Sequence, residues 1–432
     1  MSRMWSCRCA IAFIGPLLCV SIAFVGSPHR AGAEPLRISL TEAVERALRA
    51  NLELLASAKD VEVAAAGVRR SSALLPSNPF LSLGASRRAE TGGRPNLFAF
   101  LSQEFEVAGQ RGPRMRAATH TLAQEQANLQ QKQVALVADV KSTFVRALAQ
   151  RERARLLAEQ WQLAQELAKA NAPRQATLTE RIEANNALLQ ATRYQRELWF
   201  AQREGANQVE ALRRYLQLDA TQEVELVGEL EPTFEAVPSL PDLVRWALSS
   251  RADVQAFEHA LAAADAQLEV ARRERIPNVT VSGSYSRFES SDFGGADVGV
   301  ALPLFQTKDA DIQEATAQRV RLALQLEDLQ RKAEREVREA YRTYETSQRE
   351  VDLFRTTMLP LAEENVRLQQ RLVQRDEASA ADLLNQKVEL LEIRKDYVET
   401  LEAFHVARFD LERAVGGKFP EPAELPASAK SN

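Results

Sequence analysis

Between Asn278 and Phe288, apolar and ring-bearing residues alternate with small hydroxylated ones. Val279, Val281 and Tyr285, with Gly283 between, fall on one side, and Thr280, Ser282, Ser284 and Ser286 on the other. A period of two marks a strand with one apolar and one polar face. The period recurs over 297–305, where Val298, Val300, Leu302 and Leu304 alternate with Gly299, Ala301 and Pro303. Two more strands are predicted over 80–87 and 96–107. Polar, glycine-rich stretches, "RAETGGRP" and "ESSDFGGA", join the members of each pair, so each pair reads as a hairpin with that stretch as its tip.

Elsewhere the pattern is helical. The stretches 113–171 and 310–374 carry almost no glycine, and at about 1.5 Å per residue each would run to roughly 90 Å, too long for one globular core. Helices of that length survive by pairing. Leu383, Leu390, Tyr397, Phe404 and Leu411 recur at every seventh position, flanked by Leu384, Leu391 and Val398, which is a left-handed coiled-coil signal. Further helices are predicted over 177–218 and 378–415. Pro360 is expected to kink its helix or mark a junction. At the break between the first pair of long helices, Pro173 stands before Thr177 and Thr179 as possible N-caps. At the second break the candidates are Asp376 and Ser379.

Self-comparison organises these elements. "LTEAVERALRAN" (40–51) aligns with "LPDLVRWALSSR" (240–251) at an offset of 200. "VADVKSTFVRAL" aligns with "EREVREAYRTYE" at 197, and "TERIEANNALLQ" with "ADLLNQKVELLE" at 202. The near-constant offset points to an internal duplication of a helix–hairpin–long-helix–helix unit. The first copy is read as 34–223 and the second as 240–418, each opening with one helix (about 40–72 and 240–274). Between them, 224–239 is a proline-punctuated linker with one short strand. The tail 419–432 is expected to be disordered.

The N-terminus adds a compartment. Arg3 and Arg8 precede an apolar run from Ala10 to Val25, and Ala31-Gly32-Ala33 forms an A-x-A cleavage site. Residues 1–33 therefore read as a cleaved secretory signal rather than a retained anchor. Cys19 follows Leu17-Leu18 rather than a small residue, which argues against lipidation. Cys7, Cys9 and Cys19 all lie in the signal, leaving the mature chain without a disulfide. Loss of Arg3, Arg8 and Arg30 moves the net charge from −4 to −7. Basic runs such as "RRER" (272–275) are cancelled by neighbours, so nucleic-acid binding is not indicated.

Candidate chemistry is sparse. The mature chain has His120, His259 and His405, with Met115 and Met358 far apart, and no pair sits at ligand spacing in the sequence. His405 reads as a coiled-coil side chain. No nucleophile elbow or phosphate-binding loop appears, and acids such as Glu363-Glu364 read as solvated faces. Neither an enzyme nor a cofactor is expected.

No apolar run long enough for a membrane helix follows the signal, so entry into a membrane would have to be made by strands. Single-chain bacterial barrels have at least about eight strands, and lipid does not tolerate an open edge. Four strands either form a small soluble sheet or are pooled between chains. In the pooled case Leu97, Ala99, Leu101, Phe105, Val107, Val279, Val281 and Tyr285 face lipid. Ser102, Glu104, Glu106, Thr280, Ser282 and Ser284 then line water, with Phe98, Phe100 and Gln103 against that polarity.

Three stretches carry a family resemblance. "SQEFEVAGQRGPRMRAA" (102–118) resembles a strand-to-helix passage, "VGVALPLFQTKDADIQEATAQR" (298–319) the entry to a second long helix, and "EASAADLLNQKVELLEIRKDYVETLEAFHVARFDLERAVG" (377–416) a final helix. In that order and spacing the chain resembles the TolC-like outer-membrane efflux family, and within it the CzcC-like heavy-metal branch. The resemblance implies a mainly α fold with a small β part. It implies a homotrimer whose twelve strands form one barrel in outer-membrane lipid of a Gram-negative cell, continued by a periplasmic coiled-coil tunnel. The implied function is the exit duct of a tripartite system, with a periplasmic adaptor and a proton-driven inner-membrane pump of the resistance-nodulation-division type.

By the same resemblance Thr179, Glu180, Asp382 and Asn385 fall at the constricted periplasmic tip, where a ring of acids favours cations. The bland alternative for Glu180 and Asp382 is an acid placed near a helix N-terminus. Pro173, Arg174, Arg375 and Asp376 fall at the partner-docking turns, where the family commonly has glycine. Organic-compound efflux and type I protein secretion use ducts of the same build. A periplasmic coiled-coil adaptor or scaffold is the reading from another class, and it would not need four amphipathic strands.

Overall fold

The computed structural model describes residues 36–87, 95–170, 177–232, 234, 236–288 and 291–420. The signal, Cys19, Pro173, Arg174 and the tail from 421 lie outside the described residues.

A short strand β1 (Leu36–Ile38) leads into α1 (Leu40–Ala50) and α2 (Leu52–Ser71). The single helix expected over 40–72 is therefore two. Asn51 breaks it in extended backbone, and its Oδ1 accepts from the N–H groups of Glu53 and Leu54, both at 3.1 Å. That side chain satisfies two of the donors a new helix exposes. The hairpin β2 (Phe80–Ser86) and β3 (Asn96–Phe105) follows, then α3 (Arg111–Ala170) and α4 (Leu178–Leu216).

Strand β4 (Val224–Leu226) pairs in parallel with β1, an unforeseen partner for the strand expected in the linker. Next come α5 (Leu240–Ser250) and α6 (Ala252–Arg273), again two helices where one was expected over 240–274. Arg251 takes the breaking position in the same extended backbone, but does not cap with its side chain. It lies buried, bound to Asp253, Glu336 and the carbonyl of Ala414.

The second hairpin corrects the sequence reading. Its strands are β5 (Val279–Phe288) and β6 (Ser291–Val300), so the second strand lies about six residues before its expected place at 297–305. Gly294 and Gly295 are paired with Tyr285 and Ser284 inside the ladder, not at a tip. Pro303 has no N–H to give to a ladder, and Leu302 and Leu304 close a turn instead. Strand β3 likewise ends at Phe105 rather than 107.

Helix α7 (Asp309–Leu353) runs through a π-helical turn, Phe354–Met358, into α8 (Leu359–Gln374). Pro360 stands two residues past that turn and cannot donate to the carbonyl four residues back; the wider turn, with Leu359 N–H on Phe354 O, absorbs the loss. Helix α9 (Ala380–Ala414) is the last among the described residues.

The helices pack lengthwise. Helix α3 lies against α2, α4, α6 and α9, and α7 against α6 and α9. Phe144, Leu148, Leu212 and Leu216 build one core with α1 and β4, and Val337, Tyr344, Phe404 and Leu411 build another with α5. Along α9 the seven-residue rows Leu391–Val398 and Phe404–Leu411 are buried, whereas Leu383 and Leu384, near the break, are half-buried.

Candidate functional site

The two hairpins join into one antiparallel sheet in the order β2-β3-β5-β6. Register sorts its side chains by face. Ser102 lies opposite Ser282, Glu104 opposite Thr280, and Phe100 opposite Ser284, and on β6 these rows continue to Asp297, Gly299 and Gly295. Leu101 lies opposite Leu81 and Gly283, and Val281 opposite Val298 on the other face. One face is thus mainly apolar, with Gln103 the exception opposite Val281, and the other mainly polar over its helix-proximal half, with Phe80 opposite Ser102 and Phe100 opposite Ser284 against that trend. Toward the hairpin ends the polar face turns aromatic, with Phe98, Phe288 and Phe293. The tip of the Phe98 ring covers Gly84, where a Cβ would meet it at 2.1 Å.

Most of the sheet stands bare, although Ser282 on the polar face is buried. Every residue of β6 is exposed, and on the apolar face Leu83 keeps 70 % and Val298 69 % of its surface. Both edges, β2 and β6, have unpaired ladders on their outer sides. Burial of that apolar face and pairing of those edges are what folding of one chain leaves undone.

Polar contacts fasten the sheet to the helices. Gln110 Nε2 donates to Asn278 Oδ1 at 3.0 Å, and Asn278 Nδ2 to Glu104 Oε1 at 2.8 Å. Arg111 donates twice to the carbonyl of Ser72, and Arg273 to that of Gly109. Glu106 lies past the end of β3, and its largely covered carboxylate is held by both terminal nitrogens of Arg114. Of the expected lumen set, Glu104, Thr280, Ser282 and Ser284 share one strand face; Glu106 is drawn off it by this pair.

At the opposite end, Thr179 and Glu180 open α4, and Thr179 is exposed; the side chain of Glu180 lies outside the described residues. Asp382 and Asn385 are exposed in the first turns of α9. Ser379 and Asp382 form a capping box: Ser379 Oγ accepts from Asp382 N–H at 3.1 Å, and Asp382 Oδ2 accepts from Ser379 Oγ at 2.7 Å and N–H at 3.0 Å. The Ser379 hydroxyl and then its N–H hold the Asp382 carboxyl below the usual carboxylate range. Arg375 caps α8, and Asp376 follows with φ +57°. Asp376 N–H reaches Val373 O and Glu377 N–H reaches Leu372 O, the paired closure that usually employs glycine.

Among the described residues no helix is long and apolar enough to cross a membrane, and no group of three or more His, Cys, Asp or Glu could hold a metal ion. His405 lies between Phe404 and Phe409, and burial pushes its imidazole below the usual histidine range.

Residues 243–417 match the family described as "Outer membrane efflux protein". The chain is 27 % identical over 324 residues to the nickel and cobalt resistance protein CnrC of Cupriavidus metallidurans, covering 69 % of this chain and 71 % of that protein. It is 26 % identical over 303 residues to the cobalt-zinc-cadmium resistance protein CzcC of the same organism, covering 68 % and 70 %. Among solved structures, the open state of the MtrE outer membrane channel of Neisseria gonorrhoeae superposes with a TM-score of 0.74 at 19 % identity, over 88 % of this chain and 91 % of that one.

Proposed function

We propose that this chain, whose residues 243–417 match the outer membrane efflux protein family and which resembles two metal-resistance proteins, is a member of that family and the exit duct of a tripartite system exporting heavy-metal cations. The observation that carries the duct is the bare sheet: four strands, an apolar face in the open, and two unpaired edges. Lipid admits strands only when the sheet closes. Three chains contribute four strands each to a twelve-strand barrel, β2 of one chain meeting β6 of the next. The long helices continue it as a tunnel, and the chain arises from duplication of a helix–hairpin–long-helix–helix unit. In support, Asn51 and Arg251 break their helices at equivalent places, 200 positions apart.

In this reading the face bearing Ser102, Glu104, Thr280, Ser282 and Ser284 lines water. Asp382, Asn385, Thr179 and Glu180 ring the tip, and the turns at Pro173, Arg174, Arg375 and Asp376 meet a periplasmic adaptor. A pump of the resistance-nodulation-division type supplies the driving force. The heavy-metal substrate is supported by the two resistance proteins that this chain resembles.

The test is growth of a deletion strain across graded nickel, cobalt, zinc, cadmium and copper, with detergents and dyes in parallel. Selective metal sensitivity, restored by the plasmid-borne gene, is expected. Sensitivity to organic compounds alone overturns the metal substrate and leaves the duct intact.

A further inference from the structure

No two histidines are near one another in the sequence, yet the fold brings two together. His120 on α3 and His259 on α6 meet with ring centroids 5.8 Å apart and planes inclined by 32°. Both side chains are half-buried. Two acids of α6 are already engaged by arginines, Glu269 by Arg116 and Asp265 by Arg319. The two imidazoles are thus a pair of nitrogen donors contributed by separate elements.

We propose that His120 and His259 form a two-imidazole site for a divalent transition-metal ion that bridges α3 to α6. Metal–nitrogen bonds of about 2.0–2.1 Å, with about 1.1 Å more to each ring centre, place two imidazoles on one tetrahedral ion with centres roughly 5–6 Å apart. The observed spacing falls in that interval, so binding needs ring rotation rather than movement of helices. Among the described residues no third histidine, cysteine or carboxylate completes the set, so water fills the remaining positions and the ion exchanges readily. Imidazole donors select copper, nickel, zinc and cobalt over magnesium and calcium, with copper bound most tightly. The site stands on this geometry and does not depend on which compound the duct exports.

The experiment uses tag-free mature protein in detergent, stripped with a chelator. It is titrated calorimetrically with zinc or nickel, and copper(II) is followed by electron paramagnetic resonance. One ion per chain and a two-nitrogen copper signature are expected in the wild type. His120→Ala and His259→Ala should each weaken binding by at least about tenfold, because either change removes the donor that acts intramolecularly. His120→Asn and His259→Asn, compared in oligomeric state and metal-free melting, serve as second variants that preserve polarity and size. Absence of binding in the wild type, or binding undiminished in all four variants, overturns the site and leaves a simple ring contact. Variants that lose the ion but retain metal resistance in cells support the site and separate it from transport.

Discussion

Asp376 bears the cost of the turn between α8 and α9. A left-handed backbone brings Cβ against the following carbonyl, and only glycine escapes that contact. Asp376→Gly should therefore raise the thermal midpoint of the solubilised protein, contributing on the order of 1 kcal/mol per chain, while Asp376→Ala moves it the other way. Three residues on, the capping box gives a pH dependence. The Asp382 carboxyl is held below its ordinary value by the Ser379 hydroxyl and N–H. Its contribution is complete above the unfolded value near 3.9 and is lost as pH falls through the depressed folded value. Asp382→Ala should melt below wild type at pH 7, the gap closing in melts run below about pH 4. Ser379 and Asp382 were legible as a cap and a helix-start acid because the box is local in sequence. The left-handed state of Asp376 was not, because aspartate is a poor predictor of positive φ.

At the scale of elements, Arg251 ties the start of α6 to α7 and to the end of α9 through Asp253, Glu336 and the Ala414 carbonyl. Its side chain keeps 7 % of its surface. Arg251→Ala strands the carbonyl and two partly covered carboxylates, and should cost about 3 kcal/mol in chemical denaturation. Gly84→Val should displace the Phe98 ring from the close contact that Gly84 permits, and native mass spectrometry from detergent should show a smaller share of oligomer while the helical circular dichroism remains. The helices were readable from their periodicity over many turns. The second hairpin was not, since Gly294 and Gly295 look like turn residues, and only the ladder with Ser284 and Tyr285 reveals them as strand. The breaks at Asn51 and Arg251 were missed because apolar spacing continues across them.

For the whole molecule, the bare sheet makes oligomeric state the decisive quantity. Native mass spectrometry from detergent should give three chains; a monomer or dimer would sink the pooled barrel. The elongated shape follows from helices such as α3, 60 residues long, which cannot fold back into a single globule. They find their apolar partners along their length, in separate cores at successive levels.

Periodicity along the chain determined by itself the long helices and the first three strands of the sheet, though not the place of β6 or the breaks at Asn51 and Arg251, because a repeat of two or seven needs only neighbours in sequence. Order and spacing of the motifs carried the family resemblance. Contacts between residues far apart were decided only by the tertiary structure: β1 on β4, Arg251 against Ala414, and His120 beside His259. Their positions in sequence carry no trace of the distance that packing of α3 against α6, or docking of the α5–α6 break on the end of α9, sets between them. Free energy of such contacts depends on three-dimensional separation and burial, and those exist only once the helices have docked.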